Sequence, residues 1–158
     1  MDKTFFVQEL EAHSGMLYRV AWTILRNDDA CQDAMQEAAL KAWEKRDSLR
    51  DARYFRTWIT RILINACYDT HRRGRRFVSL TEVPEPSAQP PDLTLSLALQ
   101  ALPEKLRLPL WLFYLEGFSI AELAQTLGVP EGTVKYRLHQ ARKALKVELT
   151  EESEVRHA

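Results

Sequence analysis

The sequence predicts an all-α protein made of two small helical domains joined by a proline-rich linker, and three observations carry this. Apolar residues recur at helical spacing through most of the chain, and no strand-like alternation of any length is present. The stretch "FVSLTEVPEPSAQPPD", residues 77–92, holds four prolines (Pro84, Pro86, Pro90 and Pro91) and no basic residue, a composition that prevents helix and favours extended chain. The stretch "SIAELAQTLGVPEGTVKYRLHQARKAL", residues 119–145, has the spacing of a helix-turn-helix. The expected organisation is a first domain over 1–76, the linker 77–92, a second domain over 93–150 and a tail over 151–158. Domains of this size fold alone but bury only modest cores.

In the first domain, helices are expected over 4–12 and 14–26, with Asn27 and Asp28 as a break and N-cap. The third helix, about Asp29 to Lys45, places Cys31, Ala34, Ala38 and Ala42 on one face and Asp33, Gln36, Glu37, Leu40 and Lys41 on the other. The fourth, about Ala52 to Arg73, is the most periodic. Phe55, Trp58, Ile59, Ile62, Leu63 and Ala66 make one buried stripe; Thr57, Thr60, Arg61, Ile64, Tyr68, His71 and Arg72 lie on the far side, with Asn65 at the margin. Phe55 and Trp58 are expected in the core.

The second domain opens with two short apolar helices, Leu93 to Leu102 and Glu104 to Glu116, split at Pro103. Ser119 and Glu122 form a capping box for a short helix burying Ile120, Leu123, Ala124 and Leu127. Gly128 suits the left-handed turn that ends it. Pro130 starts the next helix, whose buried stripe is Val134, Leu138, Ala141 and Leu145. Opposite that stripe lie Gly132, Lys135, Tyr136, His139 and Lys143, flanked by Arg137 and Arg142. Such a helix suits the DNA major groove, early residues meeting base edges and later cations meeting phosphates.

Net charge is zero, yet the charges are in blocks. Residues 41–76 hold eleven Lys/Arg against four Asp/Glu, and residues 105–146 hold seven against three, while the segments between and around them are acidic. Screening cuts attraction to phosphate off within about 10 Å, so the local blocks matter more than the total. The acidic N-terminus lacks the basic start and long apolar stretch of a signal peptide, and no apolar run reaches the roughly 18 residues that span a bilayer. A cytoplasmic protein with no direct membrane insertion is expected. Cys31 and Cys67 fall on helix faces beside Ala and Leu, the pattern of buried free thiols. His13, His71, His139 and His157 are scattered, and no metal spacing, P-loop, paired carboxylates or nucleophile motif appears. No enzyme, cofactor or metal site is therefore expected.

Three segments in series, "DAMQEAALKAWEK" (33–45), "FRTWITRILINACYDTHRR" (55–73) and "LPEKLRLPLWLFYLEGFSIAELAQTLGVPEGTVKYRLHQARKAL" (102–145), resemble the extracytoplasmic-function group (ECF, group 4) of sigma-70 family RNA polymerase sigma factors. D-x-x-Q-E, T-W-x-x-R-I-x-x-N and E-x-A-x-x-L-G-V-x-x-G-T-V occur in the family's order and cover most of the chain. The resemblance implies a sigma region 2 bundle, a linker and a sigma region 4 helix-turn-helix domain. It also implies a protein that binds bacterial core RNA polymerase, brings it to promoter DNA and helps open the duplex without chemistry of its own.

Position by position, the resemblance puts core binding on Asp33, Gln36, Glu37, Leu40 and Lys41, facing the clamp of the largest subunit, and region 4 on the flap of the second-largest subunit. It puts −10 recognition on Arg61, Asn65, Tyr68, Arg72 and Arg73. The loop Arg46 to Arg53 falls where the family captures a flipped base. It puts −35 recognition on Thr133, Lys135, Tyr136, Arg137, His139, Arg142 and Lys143, with Tyr136 and His139 departing from the small residue or arginine often found there. Linker acids Glu82, Glu85 and Asp92 fall in the segment that threads the RNA exit channel in the family, where acids mimic nucleic acid; a plain tether is the other possibility. An anti-sigma factor is the further partner implied, one that can hold such a protein at the membrane. The acidic tail is expected frayed or as a short helix extension. The alternative is a helix-turn-helix transcriptional regulator that acts without core polymerase, residues 1–76 then serving as a sensor or dimerisation domain.

Overall fold

The computed structural model describes residues 1–76 and 93–157; the expected linker, with Glu82, Glu85 and Asp92, lies outside the described residues. Eight α-helices follow in order among the described residues: α1 Lys3–Ala12, α2 Ser14–Leu25, α3 Asp28–Glu44, α4 Phe55–Arg76, α5 Leu93–Ala101, α6 Glu104–Tyr114, α7 Ile120–Leu127 and α8 Glu131–His157. The only other regular elements described are 3-10 turns at Arg46–Ser48 and Ala52–Tyr54. The chain divides into an N-terminal and a C-terminal unit.

In the N-terminal unit each helix boundary has a local cause. Asp2 caps α1, its Oδ1 accepting from the Phe5 N–H at 2.8 Å. Arg26 ends α2 in the left-handed region at φ 52°, its N–H donating to the Trp22 carbonyl. Asn27 then caps α3, its Oδ1 accepting from the Ala30 N–H at 2.9 Å. The cap is thus Asn27 alone; Asp28 already lies in the first turn beside Asp29, where acids suit the positive end of the helix dipole.

α3 buries the expected small stripe Cys31, Ala34, Ala38 and Ala42. These side chains let α4 and α2 approach closely, and α3, α4 and α2 pack mutually. α4 buries Phe55, Ile59, Leu63 and Ala66 as expected, while Trp58 and Ile62 are half-buried. Thr57, Thr60 and Ile64, expected on the far side, are buried instead, together with Cys67. α4 packs on α2 and α3 at once, so its buried arc is wider than one stripe. Thr60 satisfies its buried hydroxyl by donating to the Arg56 carbonyl at 2.6 Å. Phe6 closes the bundle at one end, 5.2 Å from the Trp43 ring and 6.2 Å from the Phe55 ring.

In the C-terminal unit, α8 packs against α5 and α6. Leu102, Leu108, Leu110, Leu112, Phe118, Leu123, Val134, Leu138 and Ala141 are buried. Leu145, Ile120, Ala124 and Leu127 are half-buried, at the margin of the expected stripes. The capping box forms in full: Ser119 Oγ accepts from the Glu122 N–H at 3.1 Å, and the Ser119 N–H donates to Glu122 Oε1 at 3.0 Å. Gly128 turns the chain at φ 68° and ψ 35°, a conformation glycine reaches without steric cost. α8 continues through the acidic tail to His157, so that tail extends the helix.

Candidate macromolecular interfaces

The small stripe of α3 faces inward, so helical geometry turns its polar side outward. Asp33, Gln36 and Leu40 are exposed there, Leu40 to 67%. Glu37 and Lys41 are half-buried because they are engaged. Lys41 Nζ donates to Glu37 Oε1 at 2.9 Å and to Asp69 Oδ2 at 3.4 Å, and Arg73 Nη2 donates to Glu37 Oε1 at 3.1 Å. Asp69 also pairs with Arg72. The hydrogen bond from Arg72, then the hydrogen bond and charge of Lys41, hold the Asp69 carboxyl below its usual range, and the Glu37 hydrogen bond raises Lys41. Sequence reasoning missed Asp69; its only local signal is an acid three residues before Arg72.

On α4, Arg61, Asn65 and Arg72 are exposed and Tyr68 is half-buried. At 100° per residue these four fall within a narrow arc, and Arg73 lies on the flank toward α3, which is why it reaches Glu37. The two backbone turns before α4 are held by side chains. Trp58 Nε1 donates to Ser48 Oγ at 3.0 Å, so this half-buried indole, expected in the core, anchors the loop. The Arg46 guanidinium sits 4.1 Å from the Trp43 ring centroid and donates to the Trp43 carbonyl at 2.8 Å. Arg53 pairs with Asp51 at 2.8 Å, and its hydrogen bonds lower the Asp51 carboxyl. Tyr54 remains 51% exposed beside them.

On α8, Lys135, Tyr136, His139, Arg142 and Lys143 are exposed, Tyr136 to 63%, and Thr133 and Arg137 are half-buried. The buried stripe Val134, Leu138 and Ala141 holds the opposite side of the helix, so Lys135, Tyr136, His139 and Lys143 share the outward arc, while Thr133, Arg137 and Arg142 flank it. Arg142 Nη1 donates to the Tyr114 hydroxyl at 2.9 Å, a positioning contact across to α6 that the sequence did not reveal. Among the described residues no group of three His, Cys, Asp or Glu side chains is arranged to hold a metal, and no helix is long and apolar enough to cross a membrane.

Two all-helical units, one with a polar α3 face beside a cationic α4, the other with a cationic outward face on α8, have the make-up of a DNA-binding protein. Residues 10–77 match the model of Sigma-70 region 2 and residues 92–145 that of Sigma-70, region 4. The ECF RNA polymerase sigma factor SigM of Mycobacterium tuberculosis is 33% identical over 150 residues, covering 91% of this chain and 76% of the relative. SigW of Bacillus subtilis, also an ECF RNA polymerase sigma factor, is 28% identical, with 94% and 90% covered. Among solved structures, the sigma factor RpoE in complex with the anti-sigma factor NepR from Bartonella quintana superposes with a TM-score of 0.75 at 28% identity, covering 92% of this chain and 96% of that one. CnrH in complex with the cytosolic domain of CnrY gives 0.73 at 25% identity, covering 94% and 90%. The chain belongs to the ECF RNA polymerase sigma factors of the sigma-70 family. It is an alternative sigma factor, which binds core RNA polymerase, directs it to promoters and helps initiate transcription; a regulator independent of core polymerase is not favoured.

Proposed function

We propose that this group 4 sigma factor divides its work among three surfaces. Asp33, Gln36, Glu37, Leu40 and Lys41 on α3 dock on the clamp of the largest core subunit. Arg61, Asn65, Tyr68, Arg72 and Arg73 on α4 contact the −10 element, and the turns from Arg46 to Arg53 receive a base pulled from the stack. Such extraction costs a few kcal/mol, which a pocket with a cationic rim offsets. Thr133, Lys135, Tyr136, Arg137, His139, Arg142 and Lys143 on α8 contact the −35 element, while the C-terminal unit meets the flap of the second-largest subunit. The functional division follows residues 1–76 and 93–150, joined by 77–92. RpoE is a sigma factor in complex with an anti-sigma factor, and CnrH is in complex with the cytosolic domain of CnrY, which supports an anti-sigma factor for this chain as well, acting on a cytoplasmic protein that it can retain at the membrane.

The observation that carries the assignment is that Asn65 and Lys135 are both exposed, each on the outward arc of a helix whose opposite side is buried in its own unit. The deciding experiment is transcription reconstituted with core polymerase on genomic DNA and mapped to its start sites. Discrete starts that depend on this protein are expected; their absence overturns the assignment. Charge reversal at Asp33 and Glu37 should weaken core association with the fold intact. Lys135→Ala with His139→Ala should lower affinity for the upstream element and leave core association unchanged.

A further inference from the structure

We infer that Asp69 is a positioning residue which, with Glu37, holds the cationic end of α4 on α3 in the free protein and yields it when core polymerase occupies the α3 face. The inference rests on the assignment of α3 to core docking and of α4 to DNA.

The contacts form one chain across two helices: Arg73 on Glu37, Glu37 on Lys41, Lys41 on Asp69, and Asp69 on Arg72. Both arginines assigned to DNA at this end of α4 therefore already have a carboxylate, and a phosphate must compete for them. The exposures show which members have room to turn. The acids are anchored, with side chains 24% and 33% exposed, whereas Arg73 and Arg72 are 66% and 73% exposed and can turn outward. Two members, Glu37 and Lys41, belong to the α3 docking face. A core-subunit cation that takes Glu37 displaces Arg73 and also releases Lys41 from Glu37 to Asp69, where it competes with Arg72 for the same carboxylate. Core docking and phosphate binding at α4 then reinforce one another, and the coupling acts equally in both directions. Pairs this exposed are individually weak, so the effect is graded, about two- to five-fold per pair.

The test has two arms on the full-length protein. In the first, anisotropy of a labelled single-stranded oligonucleotide of random sequence is read against salt concentration without core enzyme. Arg72→Ala should weaken binding. Asp69→Asn should strengthen it by about two- to five-fold beyond Glu44→Gln, an equal charge change at an exposed α3 position outside the chain of contacts. It should also steepen the salt dependence, because a freed arginine displaces a further counterion. In an Arg72→Ala background Asp69→Asn should gain nothing beyond Glu44→Gln. In the second arm, Arg73→Ala should tighten association with purified core polymerase by about two- to five-fold relative to Lys45→Ala, an exposed cation at the C-cap of α3 outside the same contacts.

If Asp69→Asn matches Glu44→Gln or weakens binding while Arg72→Ala also weakens it, or if Arg73→Ala binds core no better than Lys45→Ala, the inference is overturned and the surface assignments stand. If Arg72→Ala leaves oligonucleotide binding unchanged, or Asp33→Lys leaves core affinity unchanged, the α4 or α3 assignment has failed and takes the inference with it.

Discussion

Cys31 is fully buried on α3, and burial pushes its thiol up from 9.0 to about 11. A thiol held protonated in the fold but free to ionise once unfolded makes the unfolded state bind fewer protons between those values. Stability must then fall as pH rises from 9.0 to about 11. Cys31→Ala removes this contribution, so the difference in denaturant midpoint between wild type and variant should narrow or change sign across that window. Native protein at neutral pH should alkylate at Cys31 only as fast as it unfolds, which mass spectrometry after iodoacetamide treatment reads directly. The burial itself was legible in the sequence, since cysteine stands in a stripe with Ala34 and Ala38. The role of Asp69 was not. Its pairing with Lys41 exists only because α3 and α4 meet in one particular register, and no periodicity within either helix encodes that register.

Helix α3 shows how much an element's own pattern can fix. A run of small residues at i, i+3 and i+4 spacing says which face is buried and that the neighbouring backbone comes close. Ala42 is fully buried, so Ala42→Leu should overpack the bundle and cost about 1–3 kcal/mol in a chemical denaturation curve. Ala39, also on α3, borders a cavity of about 230 Å³ lined by Leu10, Leu17, Met35, Ile59 and Leu63. Ala39→Leu has room to fill it and should cost markedly less, or stabilise. Equal costs for the two would mean that the cavity is not available to the new side chain. Helix α4 marks the limit of the same reasoning. One stripe predicts one neighbour, but α4 has two, so Thr57, Thr60 and Ile64 go inside although they stand off the stripe. Capping residues were the most transparent signals, because each acts on backbone two or three residues away. Ser119→Ala removes one half of the capping box at α7 and should destabilise the C-terminal unit by about 1 kcal/mol.

Scale changes the question from which side chains meet to how far two binding units can reach. Each unit has a hydrophobic interior and a polar or cationic face of its own, and the zero net charge of the chain hides two basic blocks separated by an acidic segment. Residues 77–92 are sixteen in number and extend at most about 53 Å. A protein that engages two promoter elements through two units needs that reach, and it needs little more from the segment than length. Shortening it to six residues leaves about 20 Å. Such a variant should keep its association with core polymerase through α3 yet lose promoter-directed starts in the reconstituted assay. Lengthening it by sixteen Gly/Ser residues should instead lower promoter affinity only about three-fold, because effective concentration falls roughly as the −3/2 power of tether length. The two variants pull in opposite directions on length and by very different amounts, which separates reach from sequence. If the short form initiates as well as wild type, the two units do not grip separate sites on one duplex at the same time. If the long form loses initiation altogether, the segment's own residues, among them Glu82, Glu85 and Asp92, do more than span a distance.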